Sequence, residues 1–311
     1  MLSSTFSMST VAIPFDAKAI QRNLIKLGYL PLGADDGKFG TGSQRALTRF
    51  QRHAGRTYRV SSATNKPDDV TGAETFKGQA TGLVNQDTLT EIKKWIDKQW
   101  KIPIGRFAWK KIANGSLRED AADEWTKLVT KIKGLGGTID GPYGDTKRGL
   151  GKAKKTGASS FSFHIVGRAI DLNQDLNGPP AQRYYAAKDT GSGTVGYWRI
   201  YCKAEKQDGT QGKNYEKKTV EYWDFYERKS HYLPAAYYLD LTSEIESGGK
   251  FERIPAQSGW ESTYNKAEWW HFQYKVDKQE TFQDECELVG YTEKDLKNAG
   301  YSTADMDHKP G

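Results

Sequence analysis

The 311-residue sequence is poor in cysteine. Only Cys202 and Cys286 occur, and neither sits in a Cys-x-x-Cys pair or beside a histidine motif. Cysteine metal ligation is therefore not expected, and the pair reads as buried free thiols or as one disulfide. No run of about 18 apolar residues exists, so no membrane span is expected. The opening Met1-Leu-Ser-Ser-Thr-Phe-Ser-Met8 has neither a basic n-region nor a long apolar h-region, so it does not read as a secretory signal. A strong cluster of like charge is missing as well. The net charge is +7; residues 1–100 hold 14 Lys+Arg against 9 Asp+Glu, and residues 101–311 hold 32 against 30. The basic N-terminal part favours an anionic partner, but its charges are scattered, which speaks against nucleic acid.

Aromatic residues, in contrast, are plentiful. Nine Trp and seventeen Tyr exceed the needs of a core and could line a groove. The length suits one or two domains. Residues 1–15 read as a loose leader. Asp16 can cap a first helix with Ile20, Leu24 and Leu27 at helical spacing, stopped by Gly28. A turn-rich loop, Asp35-Asp36-Gly37-Lys38-Phe39-Gly40-Thr41-Gly42, precedes a second helix with Ala46, Leu47 and Phe50 on one face. Residues 55–81 read as an exposed polar insertion, and Thr88-Leu89 opens a third helix with Ile92, Trp95 and Ile96. The order of these elements over residues 16–100, with the Asp-Gly-x-Phe-Gly loop and the Phe50-Gln51 helix end, resembles a three-helix peptidoglycan-binding domain of wall hydrolases. Peptidoglycan is then the expected partner.

Residues 101–118 contain Pro103, glycines and basic residues and read as a linker. A helix is expected over Ala121–Lys133 and a short strand and turn over Thr138–Gly144. Lys152–Ser160 should form a loop, and a strand or strand edge should run from Phe161 to Asp171. Two stretches here carry chemistry: Ser162-x-His164-x-x-Gly167-x-Ala169-x-Asp171, and Glu268-Trp269-Trp270-His271. They supply two imidazoles, a ligand carboxylate and a spare carboxylate. That inventory suits a catalytic zinc with three protein ligands and a position left for water.

The two stretches resemble the zinc D-Ala-D-Ala peptidases, the family of D,D-carboxypeptidases, D-alanyl-D-alanine dipeptidases and some phage endolysins. The resemblance implies an α+β fold, with a central antiparallel sheet holding one Zn2+ through His164, Asp171 and His271. It implies Glu268 as general base and Arg148 as the group that polarises the substrate carbonyl. Ser162, Trp269 and Trp270 are expected to support the site or touch substrate. His53, His231 and His308 lack a partner pattern and read as surface residues, His231 with a groove position as its alternative.

The expected organisation is a zinc peptidase domain over 119–290, with a long insertion at 172–267 and a tail at 291–311. Within the insertion, residues 191–204 read as a strand, 215–224 as its partner and 239–247 as a helix. Tyr197, Trp198, Tyr222, Trp223, Tyr237 and Tyr238 would shape subsites or form a secondary core. The whole reads as a monomeric peptidoglycan peptidase acting in the periplasm or outside the cell. Lacking a signal, it would be delivered by phage lysis, a phage tail or a dedicated secretion system. A zinc-containing wall-anchoring protein without activity and a free dipeptidase stay open as alternatives.

Overall fold

The computed structural model describes residues 14–139, 141–151, 161–180, 182–189, 196–275 and 280–309. It is a mixed helix and sheet protein of two compact units, Met1–Arg106 with Lys278–Gly311, and Phe107–Asp277. Most of the expected leader and the whole of the expected loop 152–160 lie outside the described residues.

In the first unit, α1 (Ala17–Lys26) starts where the Asp16 carboxylate accepts the N–H groups of Lys18 and Ala19. Gly28, at φ +86°, turns the chain away from it. α2 (Thr41–Ala54) and α3 (Gln86–Asp97) follow, the latter capped by Asn85. Leu24, Leu27, Leu47, Phe50, Ile92 and Trp95 share one core. The segment 55–81 is more than an exposed insertion. Its β1 (Val60–Ser61) pairs antiparallel with β2 (Trp100–Lys101). Arg59 is fully buried, its guanidinium 4.7 Å and 5.3 Å from the Trp95 and Trp100 ring centres. It donates to the carbonyls of His53, Ala54 and Arg56, so it serves the open C-terminal end of α2.

The C-terminal end departs most from expectation. Residues 278–311 belong to the first unit, whereas the sequence reading divided them between a catalytic domain and a loose tail. They form α6 (Phe282–Leu288), α7 (Glu293–Asn298) and α8 (Thr303–Met306), each opened by a Thr or Ser with an Asp three residues into the helix. The physical cause is an arginine face on α2 and just beyond it. Arg45, Arg49, Arg52 and Arg56 recur at helical spacing and pair with Asp307, Glu287, Asp284 and Glu280 respectively. His53, expected at the surface, is buried beside them.

The second unit begins earlier than the expected boundary. In place of a linker, β3 (Trp109–Ile112) and β4 (Gly115–Arg118) form a hairpin that leads into α4 (Glu119–Gly134), which buries Trp125 and Ile132. Thr138–Gly144 adds no strand among its described residues; the strand-like contact nearby is a backbone bridge between Asp145 and Asp171. The expected strand from Phe161 shrinks to β5 (Ala169–Asp171), because residues 161 and 163–167 run in turns. β5 lies at one edge of an antiparallel sheet, in order β12 (Phe251–Arg253), β13 (His271–Tyr274), β5.

Residues 172–267 are not an appendage. They build a second antiparallel sheet in the order β6 (Tyr184–Lys188), β7 (Trp198–Lys203), β11 (Ala236–Asp240), β8 (Lys213–Tyr215). A hairpin of β9 (Glu221–Asp224) and β10 (Lys229–Tyr232) and a helix α5 (Leu241–Ser247) complete the stretch. The expected pairing of 215–224 with β7 does not form; β7 lies between β6 and β11. Trp198, Ile200 and Leu239 share a core with Trp125, Ile170 and Phe272. Tyr222 and Tyr238 pack with Tyr185 and Tyr201 in a smaller cluster, so these aromatics form core. Cys202 and Cys286 are buried free thiols, and burial pushes Cys202 up to about 11.

Candidate metal centre

Strand register places the first two polar groups. β13 pairs with β5 so that His271 stands opposite Asp171. His164 arrives from the turns before β5, where the Ile165 N–H bonds to the Ser162 carbonyl and the Arg168 N–H to the Phe163 carbonyl. Those turns depend on Gly167. It sits at φ +71°, and a Cβ there would lie 2.5 Å from the Arg118 backbone nitrogen. The small residue expected to let backbone approach backbone does so against β4.

His164, Asp171 and His271 thus converge, with one ligand atom of each within 4.8 Å of the others. All three are buried. His271 Nδ1 lies 2.9 Å from Asp171 Oδ1 in a hydrogen bond. His164 Nε2 lies 3.3 Å from the same oxygen, yet without hydrogen-bond geometry, and neither ring nitrogen of His164 has a hydrogen-bond partner. An orphaned buried polar group costs about 1–3 kcal/mol. A cation between the three donors would remove that cost. Bonds of about 2.0–2.1 Å to a tetrahedral ion set ligand atoms roughly 3.3 Å apart, close to the separations seen. Two imidazoles and a carboxylate are donors of the kind zinc takes. Burial pushes the Asp171 carboxyl up, but the two imidazoles outweigh it and hold the group well below the usual carboxylate range. It is therefore ionised, as a ligand must be.

Glu268 stands just before β13 with φ +56°, a left-handed conformation uncommon for a residue with a side chain. Such strain persists where neighbours fix it. Here the Glu268 carbonyl accepts the His271 N–H at 3.1 Å. Its Oε1 accepts Gln257 Nε2 at 2.8 Å. Burial, and then the Asp171 charge, push the Glu268 carboxyl up, against the pull of His271, Gln257 and Arg148. Gln257 was not singled out in the sequence. Its backbone N–H bonds to the Lys266 carbonyl at 2.8 Å, which fixes the loop beside Glu268.

The remaining expected residues divide. The Arg148 N–H bonds to the His164 carbonyl, and its half-exposed guanidinium reaches Asp145 at 2.5 Å and Ser162 Oγ at 3.3 Å. Ser162 Oγ also accepts the His164 N–H at 3.4 Å, so Ser162 supports the turn that presents His164. Trp269 and Trp270 are core residues. Trp269 donates to the Tyr264 hydroxyl and Trp270 packs on the Tyr264 ring, leaving almost no surface for substrate.

Two other histidine–carboxylate groups occur among the described residues. His53, Asp284 and Glu287 are buried in the first unit; Asp224, Glu227 and His231 sit on the β9–β10 hairpin. In the hairpin, His231 bonds to Glu227 at 3.0 Å, and Asp224 is committed to the turn N–H groups of Tyr226 and Glu227.

Residues 16–58 match the family model described as a putative peptidoglycan binding domain. No curated protein and no solved structure matches the chain. The match supports an N-terminal peptidoglycan-binding domain and points to the cell wall as the place of action. No helix among the described residues is long and apolar enough to cross a membrane.

Proposed function

We propose that the second unit is a zinc peptidase that cuts amide bonds in peptidoglycan stem peptides or cross-links, and that the first unit holds it on its polymer. One observation carries the reading. Buried His164, whose ring nitrogens make no hydrogen bond, converges with Asp171 and His271, and a separate carboxylate, Glu268, precedes His271 by three residues.

His164, Asp171 and His271 would hold the zinc, which when bound supplies a Lewis acid that makes water nucleophilic near neutral pH. Glu268 takes the proton of the attacking water and returns it to the leaving amine. The upward push on its carboxyl from burial favours that return. Gln257 fixes one carboxylate oxygen and so orients the other. Arg148, a guanidinium with donors beyond those engaged by Asp145 and Ser162, stabilises the oxyanion. Binding of the wall by the first unit raises the local concentration of cleavable bonds.

Mass spectrometry of peptidoglycan digested by the zinc-loaded protein, with Glu268→Ala as control, tests this. Wild type should release new fragments whose masses name the bond, and the variant should release none while keeping zinc. Intact peptidoglycan with zinc bound and the wall still captured would replace catalysis with wall anchoring. Activity in Glu268→Ala, or zinc loss in it, would overturn the role of Glu268.

A further inference from the structure

The left-handed backbone of Glu268 needs neighbours that hold it, because a residue with a side chain leaves that region when it is free to do so. Its two flanking peptide planes are both gripped. On the C-terminal side the Glu268 carbonyl accepts the His271 N–H at 3.1 Å. On the N-terminal side Trp198, on β7, donates its indole N–H to the Ala267 carbonyl at 2.8 Å. The Ala267 carbonyl and the Glu268 nitrogen share one rigid plane, so holding the carbonyl fixes the rotation φ of Glu268. With both planes held, the direction of the Glu268 Cα–Cβ bond follows. Trp198 and Ala267 are buried, so water is a poor substitute for the indole donor.

Trp198 is itself firmly placed. Its backbone pairs with Lys188 in the β6–β7 ladder. Its carbonyl accepts Arg253 Nη1 at 2.7 Å, and Arg253 is held in turn by Asp189 at 2.6 Å and Glu246 at 3.3 Å. The Trp198 ring meets Trp260 and Phe225 edge to face, with centres 4.8 Å and 5.3 Å away. Trp260 belongs to the loop of Gln257, where its N–H bonds to the Gln257 carbonyl at 3.2 Å. Gln257 Nε2 then reaches Glu268 Oε1. The two packed indoles therefore serve Glu268 at both ends, Trp198 through its backbone and Trp260 through the loop that holds its carboxylate.

We infer that Trp198 is a positioning residue for Glu268: its indole N–H fixes the 267–268 peptide plane and so aims the carboxylate at the cluster of His164, Asp171 and His271. The inference rests on the peptidase reading. It adds that the geometry of the base is set from the second sheet of this unit, by a residue that acts through Glu268 and not on the reacting atoms.

The test uses the full chain and carries a matched control. Trp125 is also buried in this unit and donates its indole N–H to the Tyr143 hydroxyl at 2.9 Å. Trp198→Phe and Trp125→Phe thus lose the same atoms and one hydrogen bond each. Trp198→Phe should keep zinc, lower kcat by about 10- to 100-fold and change KM by less than about threefold, as a misaimed group does. Trp125→Phe should change kcat by less than about threefold. Hydrogen exchange reads the same point without turnover. The His271 amide, bonded to the Glu268 carbonyl, should exchange about tenfold faster or more in Trp198→Phe than in Trp125→Phe. Circular dichroism checks both folds. If Trp198→Phe does not fold, Trp260→Phe takes its place; it keeps the indole donor but loosens the ring behind it, and it should lower kcat in the same sense. A kcat within about threefold of wild type in the folded variant, or an equal loss in Trp125→Phe, overturns the positioning role and leaves the peptidase reading standing. Zinc loss in Trp198→Phe overturns it too, since the indole would then serve the metal ligands. Wild type that cuts no peptidoglycan overturns the peptidase reading, and the role of Trp198 with it.

Discussion

Removing the Asp284 carboxylate should loosen the first unit far more than removing a surface charge. Asp284 is fully buried. Its Oδ2 lies 2.7 Å from Arg52 Nε and accepts the Thr281 N–H at 3.0 Å. Its Oδ1 lies 3.2 Å from Arg52 Nη2, 3.3 Å from His53 Nε2 and 4.0 Å from Arg49 Nε. Arg49 and Arg52 are themselves 4% and 10% exposed, so neither can turn to water when the partner goes. Breaking such a buried pair costs about 3–5 kcal/mol, against about 0–1 kcal/mol for an exposed one. Asp284→Ala and Asp284→Asn should both show it, read by hydrogen exchange of the α2 amides, which reports the first unit alone. The pH profile carries a second signature. Burial raises the Asp284 carboxyl, but Arg52 and His53 outweigh it and hold the group well below the usual range. Its contribution is complete above an unfolded value of about 3.9 and is lost as pH falls toward the lower folded value. Glu280 has the opposite sign. Burial and then the Glu285 charge raise it well above the usual range, so stability declines as pH rises through the window above about 4.3. Asp284→Asn should therefore flatten the acid limb and spare the decline at higher pH. A cost below about 1 kcal/mol, or an unchanged acid limb, would refute the buried-network account.

Gly167→Ala should destabilise the second unit by about 2–4 kcal/mol, since it adds a left-handed strain and a clash with the Arg118 backbone; thermal unfolding measures it, and a loss under about 1 kcal/mol would show that β4 yields easily. Gln257→Ala should lower kcat by about 10- to 100-fold with KM nearly unchanged, the value of a hydrogen bond to a charged carboxylate; equal loss in zinc content would reassign Gln257 to the metal site. Metal analysis should find one zinc per chain, lost in His271→Ala and kept in Asp284→Asn; two ions, or none in Asp284→Asn, would contradict the choice between the two buried clusters.

The parts legible in the sequence were those governed by local rules. Asp16 and Asn85 announced helix starts because a cap is a contact within three residues. The two site motifs were legible as spacings, and the structure brings their His164, Asp171 and His271 together and sets Gly167 at a backbone crossing. What sequence reading missed is non-local. Residues 282–306 were divided between a catalytic domain and a tail because their acidic residues are polar on paper; Asp284 and Glu287 are buried beside Arg52 and Arg49, which stand about 235 residues upstream to balance them. Residues 172–267 looked like an insertion because a long gap between motifs gives no hint that Trp198 and Leu239 complete the core of Trp125 and Phe272. Gln257 was hidden for the same reason, since its partner lies across a loop.

The two buried histidine–carboxylate clusters show why ligand counting alone cannot find a metal site. His164, Asp171 and His271 carry a donor set close to that of His53, Asp284 and Glu287, and both sets are buried. The neighbours decide between them. Asp284 and Glu287 already face Arg52 and Arg49, so the second cluster is neutralised by fixed cations. A divalent ion placed about 5 Å from one guanidinium would meet roughly 6–7 kcal/mol of repulsion at an effective dielectric of about 20, and there are two of them. Among the described residues the first cluster has no such cation on its carboxylate; Asp171 is faced by the two imidazoles, which are neutral donors once a metal replaces their protons. The same residue types therefore make an internal ion network in one unit and, in the other, the cluster at which the zinc is proposed, and the difference lies in which charge the described residues bring alongside.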